Sequence, residues 1–91
     1  MEITELYNII LDRKKNPKPG SYTNSLLDAG LPRITQKVGE EGTEVVVAAL
    51  SQENERLVEE IADLTYHVMV LMTAKGVTLE DVAGELEKRH K

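Results

Sequence analysis

Ile3, Leu6, Tyr7 and Ile10 recur at i, i+3, i+4 and i+7, the spacing of one helix face. The basic run Arg13-Lys14-Lys15 closes this first helix, where cations oppose the helix dipole. Asn16-Pro17-Lys18-Pro19-Gly20 then breaks the periodicity and predicts a turn or extended loop. Ser21-Tyr22-Thr23-Asn24 supplies caps for a short helix through Ala29, stopped by Gly30. Leu31-Pro32-Arg33 leads into a third helix from about Ile34 to Leu50, and Ser51 to Asn54 form a polar break. A fourth helix runs from about Glu55 to Lys75 and ends at Gly76. The last begins at Thr78, where Thr78-Leu79-Glu80-Asp81 resembles a capping box with Asp in place of Glu, and Leu79, Val82 and Leu86 form its apolar stripe. The β-branched run Val45-Val46-Val47 lies inside a helical period, so no strand is assigned. The pattern predicts an all-α bundle of four to five helices, in one domain over residues 1–91.

The third and fourth helices differ in how they place charge. At about 100° per residue, with Lys37 at zero, Glu40, Glu41 and Glu44 fall at about −60°, +40° and −20°. This is an ordinary charged face beside an apolar one, Ile34, Val38, Val45 and Ala49. In the fourth helix, with Glu60 at zero, Asp63 and His67 fall at about −60° and −20°, and Leu57, Leu64 and Leu71 at about +60°, +40° and +20°. Ile61, Val68, Met69, Val70 and Met72 cover the rest, which predicts a central, buried helix. Glu60 and Asp63 then edge a leucine stripe, where an unpaired carboxylate is costly. Gly39 and Gly42 each cost a helix about 1 kcal/mol against Ala, so close approach of another helix or a ligand is expected there.

Composition makes the bundle look incomplete. The chain lacks Cys, Trp and Phe and has three Tyr, so aliphatic residues and Met must build the core. At 91 residues that is thin for a monomer, and a homo-oligomer completing the core is expected. Residues 1–38 carry a net +2 and the remainder −7. This polarity argues against general nucleic-acid binding, which needs a broad basic face. It suits basic loops for an anionic ligand beside acidic helices for a cation. No signal-peptide pattern opens the sequence and no apolar run approaches a membrane span, so a cytoplasmic protein is expected.

Glu41-x-x-Glu44 and Glu60-x-x-Asp63 each present two carboxylates at i and i+3 on one helix face. Brought together, these acids repel one another unless a cation neutralises them. Ion pairs with Lys37, Arg33 or Lys75 are the simpler alternative, but the acids outnumber those bases. An all-oxygen set suits Mg²⁺, with Mn²⁺ possible. His67 follows Asp63 by four residues, unlike the Glu-x-x-His of di-iron bundles, and is expected as a core histidine hydrogen-bonded to a carboxylate. Mg²⁺ on carboxylates leaves positions for phosphate oxygens and water, which points to a nucleotide or phosphate-ester hydrolase. Nothing favours a nucleophilic enzyme, since Cys and a Gly-x-Ser-x-Gly turn are both absent.

Lys37-Val38-Gly39-Glu40-Glu41-Gly42-Thr43-Glu44-Val45, followed by Glu59-Glu60-Ile61-Ala62-Asp63-Leu64-Thr65-Tyr66-His67, resembles the all-α nucleoside triphosphate pyrophosphohydrolases of the MazG type. Ser21-Tyr22-Thr23 with Leu26-Leu27, the run Gln36 to Ala48, and Tyr66-His67 narrow the resemblance to phosphoribosyl-ATP pyrophosphohydrolases, over nearly the whole chain. The resemblance implies a MazG-like bundle completed by homodimerisation (a tetramer is possible), with helices of both chains around each site. It implies hydrolysis of phosphoribosyl-ATP to phosphoribosyl-AMP and pyrophosphate, the second step of histidine biosynthesis. Glu41, Glu44, Glu60 and Asp63 would be metal ligands. Glu40 would act as base or support the ligands, and Lys37 would contact phosphate. Ser21, Tyr22 and Thr23 would line the substrate, with Arg13 and Arg33 as weaker candidates. The cyclohydrolase that acts next would be a separate polypeptide. A house-cleaning nucleotide pyrophosphatase of the MazG or dUTPase type would share the acidic couplets. A non-catalytic helical dimerisation module would carry them as ion pairs.

Overall fold

The computed structural model describes residues 1–90; Lys91, the last residue of the expected 1–91 domain, lies outside the described residues. The helices are α1 (Ile3–Lys15), α2 (Tyr22–Ala29), α3 (Leu31–Ser51), α4 (Asn54–Lys75) and α5 (Leu79–Arg89). There is no strand among the described residues. Val45-Val46-Val47 is helical, so the amphipathic period overrides local β propensity there. α3 begins three residues earlier than periodicity suggests. Pro32 lies in its first turn, where the missing N–H is no loss, and Gly30 at φ +89° makes the sharp joint with α2.

α3 and α4 form the dominant helix pair, joined across Gln52-Glu53, and α1 and α2 pack against one end of it. The core is made there by Tyr7, Ile10, Leu26, Ile34, Met69, Val70 and Met72. Only the C-terminal half of α4 is central. In its first half Val58 and Ile61 are exposed, as are Val46, Val47 and Leu50 near the end of α3, which corrects the expectation of a helix buried all round. These five apolar side chains flank the α3–α4 turn, away from the elements that build the core.

The C-terminal end of α4 is tied down by several bonds. Gly76 adopts φ +73°, and the N–H groups of Val77 and Gly76 donate to the carbonyls of Met72 and Thr73, a glycine-terminated helix end. Lys14 Nζ donates to the Thr73 carbonyl at 3.1 Å, satisfying a last-turn acceptor with a cation. Tyr7 Oη donates to the Val77 carbonyl at 3.0 Å. The Thr78/Asp81 capping box is complete, with bonds of 2.9 and 3.0 Å. α5 nevertheless buries no residue: Leu79 packs against the core, but Val82 and Leu86 of its stripe are exposed.

Asn24 fixes the loop that precedes α2. Its Nδ2 donates to the Arg13 carbonyl at 2.8 Å, its Oδ1 accepts from Lys18 N at 2.9 Å, and the side chain is buried. Asn24→Asp removes the donor and sets two oxygens face to face. We expect it to cost about 1–3 kcal/mol, measured as a lowered urea midpoint at unchanged m-value.

Candidate metal and phosphate site

The α3–α4 pair brings the two acidic couplets together. Glu41, Glu60 and Asp63 offer carboxylate oxygens that all lie within 4.8 Å of one another. Glu41 is 6% and Glu60 2% exposed, whereas Glu44 and Asp63 are exposed. Each couplet therefore has one buried and one open member. This corrects the expectation that the first couplet lies on an innocent charged face and that both members of the second edge a buried stripe. The reason is the α3–α4 contact, which turns the Glu41 side of α3 inward and leaves one flank of α4 uncovered.

Glu44 lies outside the three-carboxylate group, yet it senses it. The neighbouring Glu60 carboxylate, with a smaller contribution from desolvation, raises the Glu44 pKa, while Glu41 and Arg56 pull it the other way. The buried atoms are poorly satisfied: Glu41 Oε2 and both Glu60 oxygens have no hydrogen-bond partner. Two cations approach instead. Lys37 Nζ lies 3.3 Å from Glu41 Oε1 and 3.5 Å from Glu40 Oε1. Its pKa is raised, chiefly by hydrogen bonding to Glu41. Arg56 Nη2 lies 2.6 Å from Glu60 Oε1, but at an angle that makes no hydrogen bond. The expected ion pair with Lys37 is thus present. Arg33 and Lys75, the other bases considered, take no part in the ion pairs of this cluster. Arg56 was overlooked, although the i, i+4 spacing to Glu60 signals it in sequence.

No other helix of the described chain approaches Gly39 or Gly42 closely. A Cβ added at either would meet nothing within 4 Å, so neither is required by packing of the described residues.

Beside the acids stands a small aromatic wall. His67, buried in α4, donates from Nδ1 to the Asp63 backbone carbonyl at 2.7 Å. A carbonyl only accepts, so Nδ1 carries the proton and, in the neutral ring, Nε2 accepts from Tyr22 Oη at 3.1 Å. His67 is thus a core histidine as expected, but its partners are a backbone carbonyl and a phenol rather than a carboxylate. Thr23 Oγ1 and Tyr66 Oη form a short hydrogen bond, and the Tyr22 and Tyr66 rings stack at 6.1 Å. Ser21 accepts from Asn24 N at 3.2 Å and caps α2. Ser21 and Tyr22, with Pro17, Lys18, Gly20 and Asp28, line a cleft of about 630 Å³. Tyr22 is joined through His67 to the backbone of Asp63, so this side of the cleft faces the acidic cluster's helix. Arg13 pairs with Asp12 at 3.4 Å, and Arg33 is exposed; neither is drawn into the acidic group.

This arrangement is a set of oxygen donors that could hold a divalent cation, near a cleft lined by Ser21 and Tyr22. Comparison with known sequences agrees with that reading. The sequence model of the phosphoribosyl-ATP pyrophosphohydrolase family matches residues 3–90. The chain is 54% identical over 89 residues to a Clostridium novyi phosphoribosyl-ATP pyrophosphatase, covering 98% of this chain and 81% of that protein. To the Sulfurisphaera tokodaii phosphoribosyl-ATP pyrophosphatase it is 58% identical over 86 residues, covering 94% and 92%. For the Saccharolobus solfataricus protein of the same name the figures are 49% over 89 residues, 98% and 95%. With the match running almost end to end, the chain belongs to the phosphoribosyl-ATP pyrophosphohydrolase family, of the MazG-type all-α superfamily.

Proposed function

We propose that the chain, as one domain over residues 1–91, hydrolyses phosphoribosyl-ATP to phosphoribosyl-AMP and pyrophosphate in the cytoplasm, using Mg²⁺ (or Mn²⁺) held by Glu41, Glu60 and Asp63, with Glu44 as the fourth donor. The observation that carries this reading is the set of buried carboxylate oxygens without hydrogen-bond partners, on Glu41 and Glu60, in a chain of this family. Buried anionic oxygens in this state are costly to the folded protein, and an oxygen-preferring divalent cation is the ligand whose chemistry they fit. When bound, such a cation supplies Lewis-acid polarisation of a phosphoryl oxygen and activation of water.

The chain's own residues would divide the remaining work. Lys37, partly buried and held protonated by Glu41, offers a cation to phosphate oxygens. Glu40 is oriented by Gln36 Nε2 at 3.1 Å and keeps its side chain half exposed, so it can take a proton from water. Tyr22, held by His67, presents one wall of the cleft to the nucleotide, and Thr23, bonded to Tyr66, stands behind that wall on the same helix. Ser21 shapes that wall as a helix cap, and Arg13 and Arg33 would meet outlying phosphates. The exposed apolar group Val46, Val47, Leu50, Val58 and Ile61 fits a homodimer interface next to the acidic cluster. A separate cyclohydrolase would consume the product.

The direct assay is pyrophosphate release from phosphoribosyl-ATP with Mg²⁺. Release from dUTP or another plain nucleoside triphosphate instead would reassign the substrate. Glu41→Gln or Glu60→Gln should lower kcat by more than about 100-fold, since several kcal/mol of transition-state stabilisation would be lost at about 1.4 kcal/mol per tenfold. Full activity in either variant would remove the metal assignment.

Stability should respond to the metal alone. Millimolar Mn²⁺ should raise Tm of the wild type, and EDTA should reverse the shift. Glu60→Gln should show no Mn²⁺ shift, with an apo Tm no lower than wild type, because a buried charge whose oxygens lack hydrogen bonds has gone.

Tyr22→Phe keeps the ring and loses the hydroxyl bonded to His67. We expect kcat/KM to fall by about 5–10-fold, the worth of one hydrogen bond of about 1–1.5 kcal/mol. An unchanged value would place Tyr22 outside the substrate wall.

For the interface, Ile61→Glu should convert a dimer to monomer in sedimentation velocity, with helicity retained. A wild type that is monomeric at tens of micromolar would end the dimer proposal.

A further inference from the structure

Two cations flank the acidic cluster, and they are held differently. Lys37 is on α3 with Glu41, has a side chain only 19% exposed, and lies within 3.5 Å of two carboxylates. Arg56 reaches Glu60 from one turn earlier on α4, with a side chain 53% exposed to water. Its Nη2 stands 2.6 Å from Glu60 Oε1, yet Oε1 receives no hydrogen bond from it. The contact is charge against charge, without the aligned N–H···O bonds that make an arginine–carboxylate pair hard to separate. Arg56 and Glu60 line one small cleft of about 190 Å³ with Glu44, Val47 and Gln52.

We propose that Arg56 is the resident counter-cation of Glu60, and that a divalent ion enters this site by displacing the guanidinium into water. The inference rests on the divalent-cation reading above and adds the competitor that sets its affinity. Glu60, at 2% exposure, is the most buried carboxylate of the group. A divalent ion bound to it would sit a few ångströms from the guanidinium, where like charges repel strongly at the low effective dielectric of such a site. The guanidinium can leave at little cost, because half of its side chain is already hydrated and it forfeits no aligned hydrogen bond. Lys37 is placed otherwise: both cations lie near two acids, but the second acid of Arg56 is the surface residue Glu59 at 3.7 Å, whereas the Lys37 side chain is itself protected by burial, so it stays. The site would then hold one permanent cation and one that exchanges with the metal.

Mn²⁺ titration, with free ion followed by electron paramagnetic resonance, tests this without any turnover. Arg56→Met should bind Mn²⁺ about 3–10-fold tighter than wild type, the scale of losing one half-exposed ion pair and its repulsion. Arg56→Lys keeps the charge and should stay within about twofold of wild type. Arg89→Met removes a distant cation, paired with Glu85 at 2.7 Å on α5, and should leave affinity unchanged. Equal or weaker binding by Arg56→Met, with Glu60→Gln still abolishing the site, would overturn the role of Arg56 and leave the metal reading standing. Tightening by Arg56→Lys or Arg89→Met as large as that by Arg56→Met would also overturn it. A wild type with no Mn²⁺ binding that Glu60→Gln removes would end the cation site and this proposal together.

Discussion

The negative charge of Glu41 and Glu60, buried between α3 and α4 with oxygens that lack hydrogen bonds, is the constraint around which the rest of the structure is arranged. Two carboxylates a few ångströms apart in a low-dielectric contact cannot both be comfortable as anions. The fold meets the repulsion with partial measures. Lys37 supports Glu41, Arg56 approaches Glu60 without hydrogen bonding, and Glu44 responds with a raised pKa. A set of apolar residues at the same positions would pack better. Carboxylates kept there, and left with unpaired oxygens, are placed at the expense of stability, as groups held for binding commonly are.

Stability is accordingly concentrated elsewhere. The core of Tyr7, Ile10, Leu26, Ile34, Met69, Val70 and Met72 joins α1, α2 and the start of α3 to the far half of α4. Lys14, Tyr7 and Gly76 secure that same end. The acidic cluster lies toward the other half of the α3–α4 pair, and five exposed apolar side chains surround the adjoining turn. One end of the hairpin is built to be rigid, and the other carries the charge and the uncovered apolar surface. His67 links the two, as a buried residue of the stable half whose Nδ1 proton is fixed by Asp63 and whose Nε2 orients Tyr22 at the cleft.

Much of this was legible before any coordinates. The five helices, the Thr78/Asp81 box and the Gly76 stop follow from local rules of period, cap and left-handed glycine, which depend on few neighbours. The pairing of the two couplets was also readable, because i, i+3 acids on two long helices have few places to go. Exposure was not. Helical angles give a residue's direction around its own axis and say nothing of which sector a partner covers. Asp63 and Glu41 exchanged their expected environments for that reason, and the apolar face of α5 proved uncovered. Gly39 and Gly42 likewise meet no helix of their own chain, because a helical glycine does not say which element, if any, stands against it.

Arg56 shows how a charge inventory can fail when it is taken by residue type rather than by spacing. Counting bases near the acids brought in Arg33 and Lys75, neither of which pairs with them. The i, i+4 relation on α4 picks out Arg56 directly, and the structure puts its guanidinium within 2.6 Å of the most buried acid. Proximity alone would suggest that the pair is satisfied. The missing hydrogen-bond alignment, together with a half-hydrated side chain, separates a counter-ion that merely screens Glu60 from one that locks it. Screening lowers the repulsion enough for the helices to pack while leaving both Glu60 oxygens available to a stronger ligand. A tightly forked arginine at the same position would have stabilised the empty protein and closed the site.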